Sequence, residues 1–356
     1  MMNKLLKDIN KKYFFMPDAT RGAVRYLTTK QLEETGTEAL VVNTLHLLVH
    51  PGPDVIMKLG GIKKMMGWDG LVFTDSGGFQ VFSLIHSKKW QGRVHENGVI
   101  FKSPKQGDIY ELTPESSIDI QMKIGSDVLV ALDDCRDTGL KKKEAEESVE
   151  RTLKWALRCK NHFEKEYGGK KETGKLLTAV VQGANYLDLR ERCAKELVKM
   201  GFDGYNFGGY PINKGGELVE EELKAVIQNI PKDKIRYAMG VGKPEDILKS
   251  IEIGYNLFDT VLVTRNARHG TVYTSEGILR IKNSEMALDE NPVDKNCNCE
   301  CCRNYTRAYV HHMLKAGEAT AMTLTTIHNL TYYQNLMRGI EDIGVCPRSD
   351  PRFVFE

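Results

Sequence analysis

Apolar residues along this chain gather in short β-branched-rich runs, separated by stretches whose apolar positions recur at helical spacing. Strands are predicted near residues 14–17, 39–44, 70–75, 127–133, 176–182, 204–208, 235–239 and 255–261, and helices over 29–35, 114–124, 141–165, 186–200, 216–230 and 244–253. Pro114-Glu115 and Pro244-Glu245 read as helix starts, with proline in the first turn and an acid beside it. Along 141–167, Val149, Leu153, Leu157 and Phe163 form the expected buried stripe, and the charges between them form a solvated face. Strands alternating with helices imply a parallel sheet, and eight of them fit an α/β fold of the (β/α)8 TIM-barrel type. An open doubly wound sheet is the alternative, because periodicity does not count strands.

Two stretches break the alternation. Residues 82–112 turn into short polar hairpin-like pieces, expected to be an insertion. After Asp294 comes a cysteine cluster, followed by helical stretches over 305–315 and 317–343. The expected organisation is a catalytic barrel over 1–290 and a zinc-binding helical subdomain over 291–356 packed on it.

Composition narrows the class. At 356 residues with 41% hydrophobic and 28% charged residues, the chain can bury a sizeable core and is not of the disordered type. The net charge of +2 means that any RNA-binding surface must be a local basic patch. Ala39 to His50 is the most apolar stretch, yet Asn43, Thr44 and two histidines interrupt it, so it reads as a buried strand and turn. The opening MMNKLLKDINKKYFF lacks the apolar centre and small-residue cleavage site of a signal peptide, so the expectation is a soluble cytoplasmic protein with no membrane association.

Of the eight cysteines, Cys135, Cys159, Cys193 and Cys346 are scattered, while Cys297, Cys299, Cys301 and Cys302 crowd together. In a reducing compartment such a cluster is expected to hold metal rather than disulfides. The C-x-C-x2-C spacing of Cys297, Cys299 and Cys302, followed by His328 in a predicted helix, suits a closed tetrahedral Cys3His zinc site of structural type. Spacing alone does not choose between Cys301 and Cys302, and His311 and His312 compete with His328.

Polar residues also recur where predicted strands end: Asp75 in FTDSGGFQ, Asp133 and Asp134 in VALDDC, Gln182 in VVQG, Gly208-Gly209 in FGGY and Asp259 in LFDTVLVTRNARHG. Each alone is commonly a turn or cap. In a barrel they converge at the C-terminal mouth, where active sites of this fold are built. Two carboxylates suit displacement at a sugar anomeric carbon, one as nucleophile and one as acid/base. A further carboxylate with an amide and backbone N–H groups can read a purine edge, with Phe79 as a stacking face.

These segments, together with RYAMGVGKPEDI, CNCECCRNYTRAYVHH and the FMPDATRGAVRYL opening, appear in the order in which they occur in tRNA-guanine transglycosylases of bacterial type, which the chain resembles over nearly its whole length. The resemblance implies a barrel with a structural zinc subdomain, usually a homodimer. It also implies exchange of guanine at the wobble position of GUN-anticodon tRNAs for a 7-deazaguanine. Carried over, Asp259 is the nucleophile on the ribose C1′ and Asp75 the general base. Asp133, Gln182, Gly208, Gly209 and Ser76 belong to the base-binding set, and Phe79 and Met239 sandwich the ring. Thr264, Arg265 and Arg268 face the tRNA, the two arginines at the bases flanking the wobble position. The zinc ligands become Cys297, Cys299, Cys302 and His328.

The chain departs from that pattern at several points. After Gly208-Gly209 it reads Tyr-Pro-Ile-Asn-Lys-Gly-Gly-Glu, a longer loop than usual that would border the 7-substituent of the incoming base. Both 7-aminomethyl-7-deazaguanine and the bulkier queuine are therefore candidate substrates. Thr260 and Val263 replace the usual cysteine and proline near the nucleophile, and Arg136 follows Cys135 where threonine-proline is common. Competing readings are a catalytically silent partner subunit, a hydrolase that releases a base to water, and an RNA-binding module without chemistry. The first is disfavoured because Asp75 and Asp259 both survive in their motifs, and the third predicts tRNA binding indifferent to both carboxylates.

Overall fold

The computed structural model describes residues 4–85, 90–103, 107–137 and 139–343. Eight strands form one parallel sheet: β1 (Phe14–Pro17), β2 (Ala39–Asn43), β3 (Leu71–Asp75), β4 (Val128–Val130), β5 (Leu176–Val181), β6 (Gly204–Phe207), β7 (Ile235–Ala238) and β8 (Leu257–Thr260). Their order is β1-β8-β7-β6-β5-β4-β3-β2. The two ends meet where Asp18, just past β1, bridges Val41 of β2, and the Ala19 N–H donates to the Val41 carbonyl at 2.7 Å. The sheet is therefore a nearly closed barrel with helices outside it. The open doubly wound alternative is excluded, since its first and last strands would not meet.

Alternate residues along the strands enter two separate cores, as the two-residue period of a strand requires. Phe14, Met16, Ala39, Val41, Leu71, Phe73, Val128, Leu176, Ile235, Tyr237 and Leu257 fill the barrel interior. Phe15, Leu40, Val42, Val72, Leu129, Leu177 and Phe258 point outward to the helices. Being buried on both faces explains why these strands read as continuous apolar runs rather than alternating ones.

Several elements differ from the sequence expectation. β4 ends at Val130, so Leu132 to Asp134 run irregularly towards the mouth. Beyond Asn43 the chain forms a helix, Thr44–Val49, rather than a turn, with the Asn43 side chain capping it by accepting from the His46 N–H at 3.0 Å. The helix Lys142–Tyr167 buries Val149, Trp155, Ala156, Cys159 and Phe163, whereas Leu157 is 43% exposed. Leu157 lies next in sequence to Ala156 and is rotated about 100° off the buried stripe, which residues three and four apart define. Short helices at Pro53–Lys58, Ile62–Met66, Gly78–Ile85 and Leu262–Arg268 have too few turns to give a periodic signal.

The insertion is a three-stranded antiparallel sheet of Gln91–His95, Gly98–Lys102 and Ile109–Leu112, in which Phe101 packs between Trp90 and Tyr110. Its residues 86–89 and 104–106 lie outside the described residues, as do 344–356 and with them Cys346. The long helix Ala319–Ile343 lies against the barrel: Gln334 donates to the Phe15 carbonyl at 3.0 Å and Asn329 to the Val263 carbonyl at 3.1 Å. Among the described residues, no helix is long and apolar enough to cross a membrane.

Candidate active site and metal cluster

A cavity of about 380 Å³ opens at the C-terminal ends of the strands. The inward period that packs the barrel continues into its lining: Asp18 follows Met16, Asn43 follows Val41, Asp75 follows Phe73, Met239 follows Tyr237 and Asp259 follows Leu257. The same two-residue step leads from Leu176 to Gln182. On β1, β2, β3 and β8 the residues that fill the interior thus give way, one step later, to polar groups, while β7 places the apolar Met239 there.

Asp75 accepts from Asn43 Nδ2 at 3.0 Å and from the Gln80 side chain and Gly77 N–H, while the Thr44 hydroxyl donates to its carbonyl. Burial outweighs these bonds and raises its pKa. Asp259 accepts the Gly240 N–H at 2.9 Å, and burial pushes it up to about 6. The buried Tyr237 hydroxyl lies beside Asp259 without a well-formed hydrogen bond. Asp133 accepts from Gln182 Nε2 at 2.7 Å and from the Ser76 hydroxyl at 3.2 Å. Burial, with the nearby charges of Asp75 and Asp134, pushes Asp133 up to about 7. With Asp18, whose pKa burial also raises, four carboxyls face one cavity, each reluctant to ionise, and mark a site built for chemistry at the expense of local stability.

Gly208 and Gly209 complete the wall opposite Asp75. Gly209 sits at φ +89°, and a Cβ on Gly208 would come within 2.5 Å of Val180 and 2.6 Å of the Gln182 amide, so both positions require glycine. Arg190 braces this wall from behind. Its buried guanidinium donates to the carbonyls of Val181, Gly208 and Ala184 at 2.9, 2.9 and 3.0 Å and stacks 4.1 Å over Phe207. With no carboxylate within ion-pair distance among the described residues, burial pulls its pKa down to about 10. At the rim, the Phe79 and Tyr210 rings meet edge to face at 5.7 Å, and Met239 lines the cavity with them.

Asp134 is not a solvated neighbour of Asp133. It is buried, and its carboxylate takes Arg151 Nη1 at 2.5 Å and Arg136 Nε at 3.1 Å. Arg151 also pairs with Glu96 of the insertion at 2.8 Å, tying that sheet to the mouth. The helix Leu262–Arg268 begins directly after β8. It presents Arg265 to solvent and holds Arg268 half-buried, its Nη1 buried and without a hydrogen-bond partner among the described residues, while Thr264 is buried.

Sequence reasoning did not single out Asp18, Thr20, Asn43, His46, Arg190 or Tyr237. For Asp18 and Asn43 the signal was the inward parity of their strands; for Arg190 it was an arginine on the apolar stripe of its helix.

Away from the mouth, Cys297, Cys299, Cys302 and His328 are all buried, with their ligand atoms within 4.8 Å of one another. His328 Nδ1 lies 3.2 Å from Cys302 Sγ and 3.7 Å from Cys299 Sγ, while its Nε2 is 2.8 Å from the Tyr273 carbonyl. Nε2–H therefore donates to that carbonyl, and the Nδ1 lone pair faces the sulfurs. A tetrahedral ion with ~2.3 Å bonds to sulfur and ~2.0 Å to nitrogen sets its ligand atoms about 3.6 Å apart, so the four residues fit a metal site. Cys301 is buried outside this group, and His311 is engaged with the Ile281 carbonyl at 2.7 Å.

The family profile described as Queuine tRNA-ribosyltransferase matches residues 7–343. Among curated proteins of that description, the one from Tolumonas auensis is 41% identical over 328 residues, covering 92% of this chain and 86% of its own. Those from Desulforamulus reducens and Nitrosomonas eutropha are 42% and 43% identical over 326 residues each, covering 92% of this chain and 85% and 87% of their own.

Proposed function

The chain belongs to the queuine tRNA-ribosyltransferase family of tRNA-guanine transglycosylases, and from that premise we propose how its own residues exchange the base. The observation that carries the reading is one cavity faced by the reluctant carboxyls Asp75 and Asp259 and by Asp133, which Gln182 holds from behind the lining. Asp259, as carboxylate, attacks the ribose C1′ of the wobble nucleotide. The bond from C1′ to guanine N9 breaks, and guanine leaves with the proton that Asp75 supplies. Asp75, now ionised, takes the N9 proton of the incoming 7-deazaguanine. That nitrogen attacks C1′ and releases Asp259, so one proton and one bond are exchanged with no net change.

Asp133 accepts from the purine N1–H and exocyclic amine, and the Gln182 amide and the Gly209 N–H serve the carbonyl edge. Ser76 orients Asp133, Gly208 lets the wall approach the base, and Phe79 and Met239 hold the ring between them. Arg265 and Arg268, with the backbone about Thr264, meet the strand flanking the wobble position. Tyr210, Pro211 and Ile212 begin the altered loop and line the cavity, which supports reading that loop as the determinant of which 7-substituent enters.

The Cys3His group suits zinc, which when bound supplies a cross-link between the 297–302 loop and the long helix. The division at 290/291, a homodimer and a cytoplasmic location complete the reading. Mass spectrometry of nucleosides from a GUN-anticodon tRNA, incubated with enzyme and either 7-aminomethyl-7-deazaguanine or queuine, tests the proposal. Incorporation of either base that is lost in Asp259→Ala supports it, and the preferred base assigns biosynthesis or salvage. Absence of any exchange, guanine included, overturns it.

A further inference from the structure

We propose that Asp18 accepts a hydrogen bond from a ribose 2′-hydroxyl of the tRNA strand, at the reacting nucleotide or one beside it, and so selects RNA over DNA. The inference rests on the transglycosylase reading but uses a carboxylate to which that reading gives no task. Asp18 lines the cavity with Thr20, Val41, Asn43 and His46, on the wall opposite the groups assigned to the purine edge. It continues the inward period of β1, and Met16 is in register with Asp259. Asp18 therefore stands two residues, or ~6.6 Å of strand, further out than the nucleophile, within reach of sugar hydroxyls near the reacting centre. The Thr20 hydroxyl holds both its oxygens at 2.7 Å, and Asp18 forms no ion pair among the described residues, so acceptor capacity is left facing the cavity.

A negative charge at an RNA-binding mouth repels phosphate, and Arg25, Arg265 and Arg268 nearby are the groups suited to phosphate. The partner that favours a carboxylate there is a hydroxyl donor. On the sugar, RNA carries such a donor at every 2′ position and DNA does not.

The test uses anticodon stem-loop RNAs, all-ribose or carrying one 2′-deoxy sugar at the reacting nucleotide or at either neighbour. Base exchange is measured for the wild-type enzyme, Asp18→Ala and Asp18→Asn. Wild type should show about a tenfold higher KM for one of the deoxy substrates, with kcat little changed. Asp18→Ala should show that rise already on all-ribose RNA and no further rise on that deoxy substrate. Asp18→Asn, which keeps the shape and one acceptor, should fall between, and it decides the matter if the alanine variant does not fold. Wild-type indifference to all three deoxy sugars, or effects of mutation and deoxy sugar that multiply at every position, would overturn the proposal. Failure of the wild type on all-ribose RNA would instead overturn the transglycosylase reading.

Discussion

The mouth of the barrel and the Cys3His corner both gather polar side chains from distant parts of the chain, and they treat those side chains in opposite ways. At the corner, three sulfurs and one imidazole face each other, and the second imidazole nitrogen is anchored to the Tyr273 carbonyl. Every donor there points at a common centre, so occupation by metal completes the group and adds to stability. At the mouth, Asp75, Asp133 and Asp259 face a cavity, and burial holds all three above the usual carboxylate range. The donors of the corner face one another, whereas the carboxyls of the mouth face open space.

The largest expected effect separates the two regions by activity. Asp259→Ala should lower base exchange by about 10³-fold or more while leaving the fold intact, measured by single-turnover incorporation and thermal unfolding. Stripping metal with a chelator, or Cys302→Ser, should do the reverse in kind, lowering the thermal midpoint by roughly 10 °C with loss of activity following the loss of fold. A mutant of the corner that kept its midpoint but lost exchange would break the comparison.

Asp133→Asn should lower kcat/KM by about 10²-fold, since a charged acceptor for two purine donors is lost. It should also raise the thermal midpoint at pH 8 by about 2 °C. The sign follows from the raised pKa. Such a carboxyl contributes its full stability below the unfolded value of 3.8 and loses it as pH climbs through about 7. The gain in Asp133→Asn should therefore vanish near pH 3.5. In activity, kcat/KM of the wild type should rise with pH through about 6, as Asp259 ionises, and fall again at higher pH, as Asp75 loses the proton it supplies to the leaving guanine. A flat profile from pH 5 to 8 would deny Asp259 its role. The smallest effect is expected at Leu157, where alanine should change stability by less than about 0.5 kcal/mol, because the side chain is off the buried face.

Much of this was legible in the chain because the barrel is repetitive. Strands buried on both faces give unmistakable apolar runs, and Asp75, Gln182 and Asp259 stand at their ends. The Cys-x-Cys-x2-Cys spacing pointed to the cluster that the fold brings together, although spacing alone separates neither Cys302 from Cys301 nor His328 from His311; the resemblance chose Cys302 and His328, and the fold groups them with Cys297 and Cys299. What escaped was short or non-local. The helix Thr44–Val49 is shorter than two turns. The part played by Asp134 was not readable because Arg151, its partner, lies on a helix whose orientation no spacing reveals. Arg190 was hidden because an arginine with only carbonyl partners looks like any surface cation in sequence. Asp18 was missed because attention to motifs passed over parity.

The seam of the barrel has a consequence for the order of assembly. Among the described residues, β1 pairs in ladder fashion only with β8, and it meets β2 at the Asp18–Val41 bridge and at the Asn43 N–H bond to the Thr20 carbonyl, 3.2 Å. A chain emerging from the ribosome presents β1 early and must wait for Leu257–Thr260 before that strand has a full partner. Asp18 and Asp259, from opposite ends of the barrel's sequence, become neighbours only then. Chains that stop before Leu257–Thr260 are thus held inactive by topology, and the pocket first exists only after the last barrel strand has been made.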